Sequence, residues 1–327
     1  DEYTWHLRNM NLSPDFKISM DTFMSHFRDV PGTREVDGVI ALDTQIPVRL
    51  LEVLGPVGVG GWGEFSADID ERCDCPQVVY ALENIATRQV GYIREDRKAV
   101  LGPLMHSILA NAMGSPKHLW PKLLNVGLES IQEKHLLFYF FEEESQASAE
   151  SFQAAGRIRP FDGDYLHIND ANFGGAKSNL FVEQSVEQEI TNSDGQVEKT
   201  VTINYNNPHP SSNCDPESTA LCLNAVLHQW VRLYVPQGSQ LIEVIGSETA
   251  AAESEDLGKT VFESSFTLRP QSSSKLVFKY KLPGEYSQDL PLMIQKQPGK
   301  SNINHQIIYN GNVYEEEVAG DLKINLQ

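Results

Sequence analysis

The chain has little positive charge. Lys and Arg number 26 against 45 Asp and Glu, which gives a net charge of −19 and a pI near 4.8. Such a surface repels phosphate backbones and excludes nucleic acid as a partner. No apolar run is long enough to span a bilayer as a helix. No secretory leader is present and residue 1 is Asp, so the sequence reads as a chain that is processed, truncated or partly seen. The nine histidines are scattered and form no H-E-x-x-H pair. A G-x-S-x-G elbow and a phosphate-binding P-loop are missing too, which removes the common hydrolase and nucleotidase signatures. No internal repeat is visible.

What is present is ordinary globular composition, with 40% hydrophobic and 22% charged residues. A length of 327 residues suits two domains. The acidic balance is compatible with life outside a cell, where calcium or magnesium bridges carboxylates; plain solubility is the simpler account.

Apolar patterning divides the chain. In the first part, Ser13-Pro14-Asp15 opens a helix whose stripe is Phe16, Met20, Phe23, Met24 and Phe27, stopped by Pro31-Gly32. Val36–Leu42 reads as a buried strand, followed by a helix carrying Leu50, Leu51 and Leu54 inward, then a short strand at Val57–Val59. That order implies a crossover in a parallel sheet. Helices follow around residues 78–86, 100–112 (kinked at Pro103) and 116–128, then an apolar strand at His135–Phe140 and a helix ending at Gly156. From about residue 161 the pattern alternates with period two. Asn192-Ser193-Asp194-Gly195 is a hairpin signal, and strands are expected near 164–170, 178–191, 196–206, 230–235, 240–245, 261–268, 275–282, 292–297 and 306–309. Ala250–Glu255 reads as a solvated loop. The expected architecture is an α/β domain over 1–160 with a partly parallel sheet and flanking helices, then an antiparallel β-sandwich over 161–327.

Chemistry-bearing residues are sparse. Cys214 and Cys222 bracket a short polar loop and are expected to be bonded to each other, whereas Cys73-Asp74-Cys75 is close-spaced and fits neither zinc spacing nor an unstrained bridge. Gly58–Gly63 matches G-x-G-x-x-G, but no helix pattern follows, so a loop is expected there. Arg8, Arg94 and Arg97 are candidates to bind phosphate or pyrophosphate, against a reading of Arg94 and Arg97 as a solvated pair beside Glu95 and Asp96. Asp15 and Asp43 are candidates to hold magnesium or calcium, or to accept a proton; a first-turn helix carboxylate is the plainer account of Asp15. Asn172–Asn179, with Gly174-Gly175, reads as a hinge between the domains, or else as a loop presenting Lys177 and backbone amides to an anion.

The words "NLSPDF", "DGVIALD…LLEVLGPV" and "DANFGGAKSN", with "VRLYVPQGS" and "LMIQKQPG", resemble the bacterial surface proteins of domain of unknown function 4012, a family with no established activity. "VDGVIALDTQIPVRLLEVLGPVGV" and "IREDRKAVLGPLMHSIL" are distantly similar to the strand-helix unit and arginine-bearing helix of the LytR-CpsA-Psr family. That resemblance implies glycopolymer transfer from a polyprenyl-pyrophosphate carrier. Arg8, Arg94, Arg97 and an aspartate such as Asp15 would line the site. The chain departs from that pattern at Gly55-Pro56 and at Lys98-Ala99.

Two functions follow as expectations. One is a non-catalytic surface protein on the extracellular face of the cell envelope, binding a cell-wall or surface glycan or assembling with another surface chain. The other is a phosphotransferase-like enzyme acting on a lipid-linked glycan. The resemblance implies further strands and a membrane anchor before Asp1, with β-pairing to an N-terminal remainder or an exposed sheet edge beside Val36–Leu42.

Overall fold

The computed structural model describes residues 7–87, 98–215, 220–284, 286 and 289–327. The first part holds α1 (Phe16–Phe27), β1 (Gly38–Leu42), α2 (Gln45–Leu54), β2 (Val57–Val59), β3 (Gly63–Phe65), β4 (Ile69–Asp70), β5 (Cys75–Pro76), α3 (Gln77–Thr87), α4 (Leu101–Gly114), α5 (Trp120–Gln132), β6 (Leu136–Phe140) and α6 (Glu143–Ser151).

Asp15, rather than Ser13, caps α1: its carboxylate accepts the Ile18 amide at 3.2 Å. The helix then lays Phe16, Met20 and Met24 against Leu137 and Tyr139 of β6, with Val39 and Ala41 of β1 beside them. Gly156 makes this packing possible. A Cβ there would stand 2.8 Å from the Phe16 Cβ, and its φ of +56° suits glycine. In α4, Pro103 lies in the first turn, where amides lack helical partners, so it interrupts nothing.

The expected parallel sheet is not what forms. β1 pairs with β6 antiparallel, Gly38 opposite Phe140 and Leu42 opposite Leu136. A parallel crossover would return β2 to the side of β1. Instead the glycine-rich turn, with Gly61 at φ +79°, folds β2 back onto β3. The G-x-G-x-x-G match is therefore a hairpin. The other edge of β1 has no strand neighbour among the described residues, and Ile40 (58%) and Leu42 (42%) are exposed on the face turned away from α1. A second cluster joins Leu51, Phe65, Val78, Leu104 and Ile108 to Phe181, Leu221 and Leu223, so loops of the second half plug into the first.

Beyond residue 160 the described chain is β7 (Asp164–Asn172), β8 (Glu183–Ser193), β9 (Gln196–Asn207), β10 (Leu227–Pro236), β11 (Gln240–Ile245), β12 (Ala252–Asp256), β13 (Lys259–Leu268), β14 (Ser272–Lys281), β15 (Leu290–Ile294), β16 (Ile303–Tyr309), β17 (Asn312–Val318) and β18 (Leu322–Leu326), with one 3-10 turn at Ser178–Phe181. They form two six-stranded sheets, ordered β12-β13-β10-β7-β15-β18 and β11-β14-β9-β8-β16-β17. Both sheets feed one apolar cluster that includes Leu166, Val201, Leu233, Phe262, Phe278 and Ile307. The hairpin turn at Asp194 (φ 52°) and Gly195 (φ 87°) has both central residues left-handed, matching the twist of β8 and β9.

Three expectations are corrected here. The sheets are not purely antiparallel: β15 runs parallel to β7, and β16 parallel to β8. Alternating patterns fix which face is buried, not strand direction. Ala250–Glu255 is not all loop, because β12 pairs with β13; its side chains are mostly exposed, so it carries no burial signal. The Asn172–Asn179 segment links β7 to β8 inside the second half rather than hinging two domains. Asn172 shapes it by accepting the Gly174 amide at 2.7 Å and donating to Ala176 O and Asn179 Oδ1.

A polar cavity where the two halves meet

The end of α5 creates the junction. After Glu133 the chain turns through Lys134 at φ +61°, a left-handed helix stop. This aims the Lys134 ammonium away from the helix and into the second half. Its Nζ lies 2.5 Å from Asp321 Oδ1 and donates to Lys296 O at 3.0 Å; the Lys134 and Asp321 side chains are 4% and 5% exposed. Lys296 reciprocates, its Nζ donating to Glu133 O and Lys300 O at 2.7 and 2.6 Å. Burial pulls the Lys296 amine down to about 8 and also lowers that of Lys134, against the pull of Asp321.

Beside this lock lies a cavity of about 340 Å³ lined from both halves. The first half contributes Asn11, Leu12, Ser13, Pro14 and Phe16, then Ala41–Asp43, Lys134, His135 and Leu137; the second contributes Asn169, Asp170, Ala171, Arg232 and Gln297–Gly299. Asp43 sits at the mouth with its side chain 29% exposed, its Oδ2 2.6 Å from His135 Nδ1 and its Oδ1 accepting the Gln45 amide. The other ring nitrogen of His135 faces Glu133 Oε2 at 3.6 Å. Glu133 is in turn bonded to Arg49 of α2. An imidazole held between two carboxylates has no hydroxyl or thiol to activate, so this pair is a clamp and not part of a nucleophilic triad.

Asp170 is buried and tied down by Tyr205 Oη at 2.9 Å and Lys300 Nζ at 2.7 Å. Arg232 donates through Nη2 to Leu12 O and Asn169 Oδ1, and its guanidinium lies 4.3 Å over the Trp230 ring. The lining therefore mixes amides, carboxylates and one guanidinium over an apolar floor of Phe16, Leu42 and Leu137.

The sequence-derived candidates scatter. Asp43 is at the cavity. Asp15 is 2% exposed, and both its oxygens are engaged, by Arg157 Nε and by the Ile18 and Ile158 amides. It ties the start of α1 to the segment leading into β7. Arg8 lies on the 3-10 turn Leu7–Asn9. Arg94 and Arg97 fall outside the described residues. Among the described residues no three His, Cys, Asp or Glu side chains gather to hold a metal ion. Lys177 of the glycine loop is 3.7 Å from Glu83 of α3, an ion pair between the halves. Both cysteine pairs are bonded, Cys214 to Cys222 and Cys73 to Cys75. His135, Asn169 and Arg232 escaped sequence reasoning because each lies in an apolar or alternating stretch that signals core, and Lys134 because it follows Gln132-Glu133 at a polar helix end that reads as solvated.

Residues 1–70 match the model of the family described as "Protein of unknown function (DUF4012)". No curated protein matches the chain. Among solved structures, a candidate nutrient-binding protein from Legionella pneumophila is 9% identical with a TM-score of 0.29, over 45% of this chain and 54% of its own. The M1 zinc metallopeptidase from Deinococcus radiodurans is also 9% identical, with a TM-score of 0.24, over 44% of this chain and 38% of its own. The chain thus spans about half, or less, of these proteins.

Proposed function

We propose that this chain is a non-catalytic glycan-binding protein of the extracellular face of the cell envelope, built as an α/β part followed by a β-sandwich, and that it takes a cell-wall or surface glycan in the cavity between its halves. The observation that carries this is the cavity lining. Amides, carboxylates and a guanidinium converge on a space the size of a small saccharide unit, above an apolar floor. The two disulfides suit an oxidising compartment. No helix among the described residues is long and apolar enough to cross a membrane. Attachment to a membrane through an anchor outside this chain, and pairing of β1 with another surface chain, belong to the same proposal.

A transferase would need several cations free to clamp a pyrophosphate. Of those lining the cavity among the described residues, Lys134 faces Asp321, and Arg232 is engaged with Leu12 O, Asn169 and Trp230. The binding reading therefore accounts for more of the geometry.

Calorimetry of the full chain against uncharged envelope oligosaccharides tests this. Asn11→Ala and Asp43→Asn should each weaken binding about tenfold, the worth of one hydrogen bond. Asp43→Asn also loosens the His135 clamp and lowers Tm, whereas Asn11→Ala, at an exposed side chain, leaves Tm unchanged. Binding indifferent to both substitutions, or no saccharide bound at all, would overturn it.

A further inference from the structure

Between the two six-stranded sheets, where β7 begins, two ionisable side chains meet out of reach of solvent. The alternation that turns Leu166 and Ile168 into the shared core turns Asp164 inward as well. On the other sheet, Lys199 of β9 shares its face with Val197 and Val201. Lys199 Nζ lies 2.5 Å from Asp164 Oδ2, and both side chains are 0% exposed. Asp164 Oδ1 has no hydrogen-bond partner. Tyr280 of β14 stands directly opposite Lys199 in the β9–β14 register, fully buried, and its hydroxyl is also without a partner.

As an ion pair this arrangement is poor. Each ion loses several kcal/mol of hydration, and a single contact that leaves one carboxylate oxygen bare returns little of it. Burial raises the Asp164 pKa and lowers that of Lys199, each against the attraction of the other. The surroundings thus favour the neutral acid and the neutral amine. Those are the reactants of amide condensation, held in contact on rigid strands.

We propose that Lys199 and Asp164 become joined by an intramolecular isopeptide bond that staples the two sheets together. The Lys199 Nζ lone pair attacks Asp164 Cγ and a C–N bond forms. The C–O bond to the carboxyl hydroxyl breaks, and that hydroxyl leaves with a proton from the amine as one water. Nothing is oxidised or reduced, and no co-reactant is consumed. Tyr280, opposite Lys199 and with an unpartnered hydroxyl, is the candidate donor to the oxygen left on Cγ as charge builds there. The product is uncharged, so neither side chain can ionise in the core again. Its closed ring contains β7, β8 and the hairpin to β9, independently of anything bound in the junction cavity.

Intact mass spectrometry of the unfolded, unreduced full chain tests this directly. The expected mass is that of the sequence with two disulfides less one further water. A digest should contain a branched peptide joining the Asp164 and Lys199 segments, uncleaved by trypsin after Lys199. Lys199→Met should restore the water. Asp164→Asn should yield the same branched peptide with loss of ammonia instead, and Tyr280→Phe should leave a mixture of joined and unjoined chains. A wild-type mass that shows no further loss of water overturns the proposal whatever the variants do. So does a water loss that maps elsewhere, or a Lys199 amine that reacts with acylating reagent once the chain is unfolded.

Discussion

The two halves of this protein bury their apolar residues differently. The two-sheet half closes Val201, Leu233, Phe262 and Phe278 into one cluster, each at 0% exposure. The helical half has two separate clusters, and one of them is completed by Phe181, Leu221 and Leu223 from the other half. It also leaves Met113 (79%), Phe152 (78%) and Leu124 (64%) open to solvent. Sheets packed together bury whole faces, whereas single helices on a two-stranded ribbon bury one stripe each. The second half is thus self-sufficient in its core, and the first depends on the junction.

That contrast can be broken at graded points. Phe278→Ala empties part of the shared sheet core and should cost about 4 kcal/mol in urea unfolding, losing the β signal cooperatively. A loss confined to the helical signal would show that the halves are not arranged as described. Asp321→Ala strands the Lys134 ammonium in the junction and should cost about 3 kcal/mol, read first in the helical half. Replacing both residues, with Lys134→Met and Asp321→Leu, should recover most of it.

Acid should act on the sheet half. Burial holds His167 down to about 4 and His305 down to about 3. Both folded values lie below the ordinary one, so the unfolded chain takes up protons first. The associated stability is complete above about pH 6.5 and is lost as pH falls from there through 4 and then 3, roughly 3 kcal/mol for His167 and roughly 5 kcal/mol for His305. His305→Gln should flatten the lower end of that curve, and an unaltered slope would exclude it as a source. Opening the Cys214–Cys222 bond frees a loop of sequence separation 8 and should cost about 2 kcal/mol, seen as a lower Tm under reductant. The smallest effect belongs to the open helix face. Leu124→Glu should change stability by less than about 0.5 kcal/mol, and a large loss would mean that another surface covers it.

Much of this was legible residue by residue. Phe16, Met20 and Met24 announced the buried stripe of α1, Asp194-Gly195 the tight hairpin, and Cys214 and Cys222 their bond, because each signal is local. β17, with Glu315-Glu316-Glu317, and β12 were invisible because edge strands keep exposed side chains and are held by backbone pairing. The cavity was legible only at Asp43. Lys134, Asn169 and Arg232 come from segments far apart in the chain, and no spacing rule links them.

The sequence by itself determined the change from helical to alternating pattern near residue 161, the acidic surface and which face of each element turns inward. Periodicity and composition act over a few residues, so a linear reading captures them. Only the tertiary structure decided strand direction, the antiparallel union of β1 with β6, and the burial of Lys134 against Asp321 and Lys199 against Asp164. Those outcomes depend on what distant segments place opposite one another. A charged side chain in an alternating strand looks solvent-facing until the sheet that covers it is known.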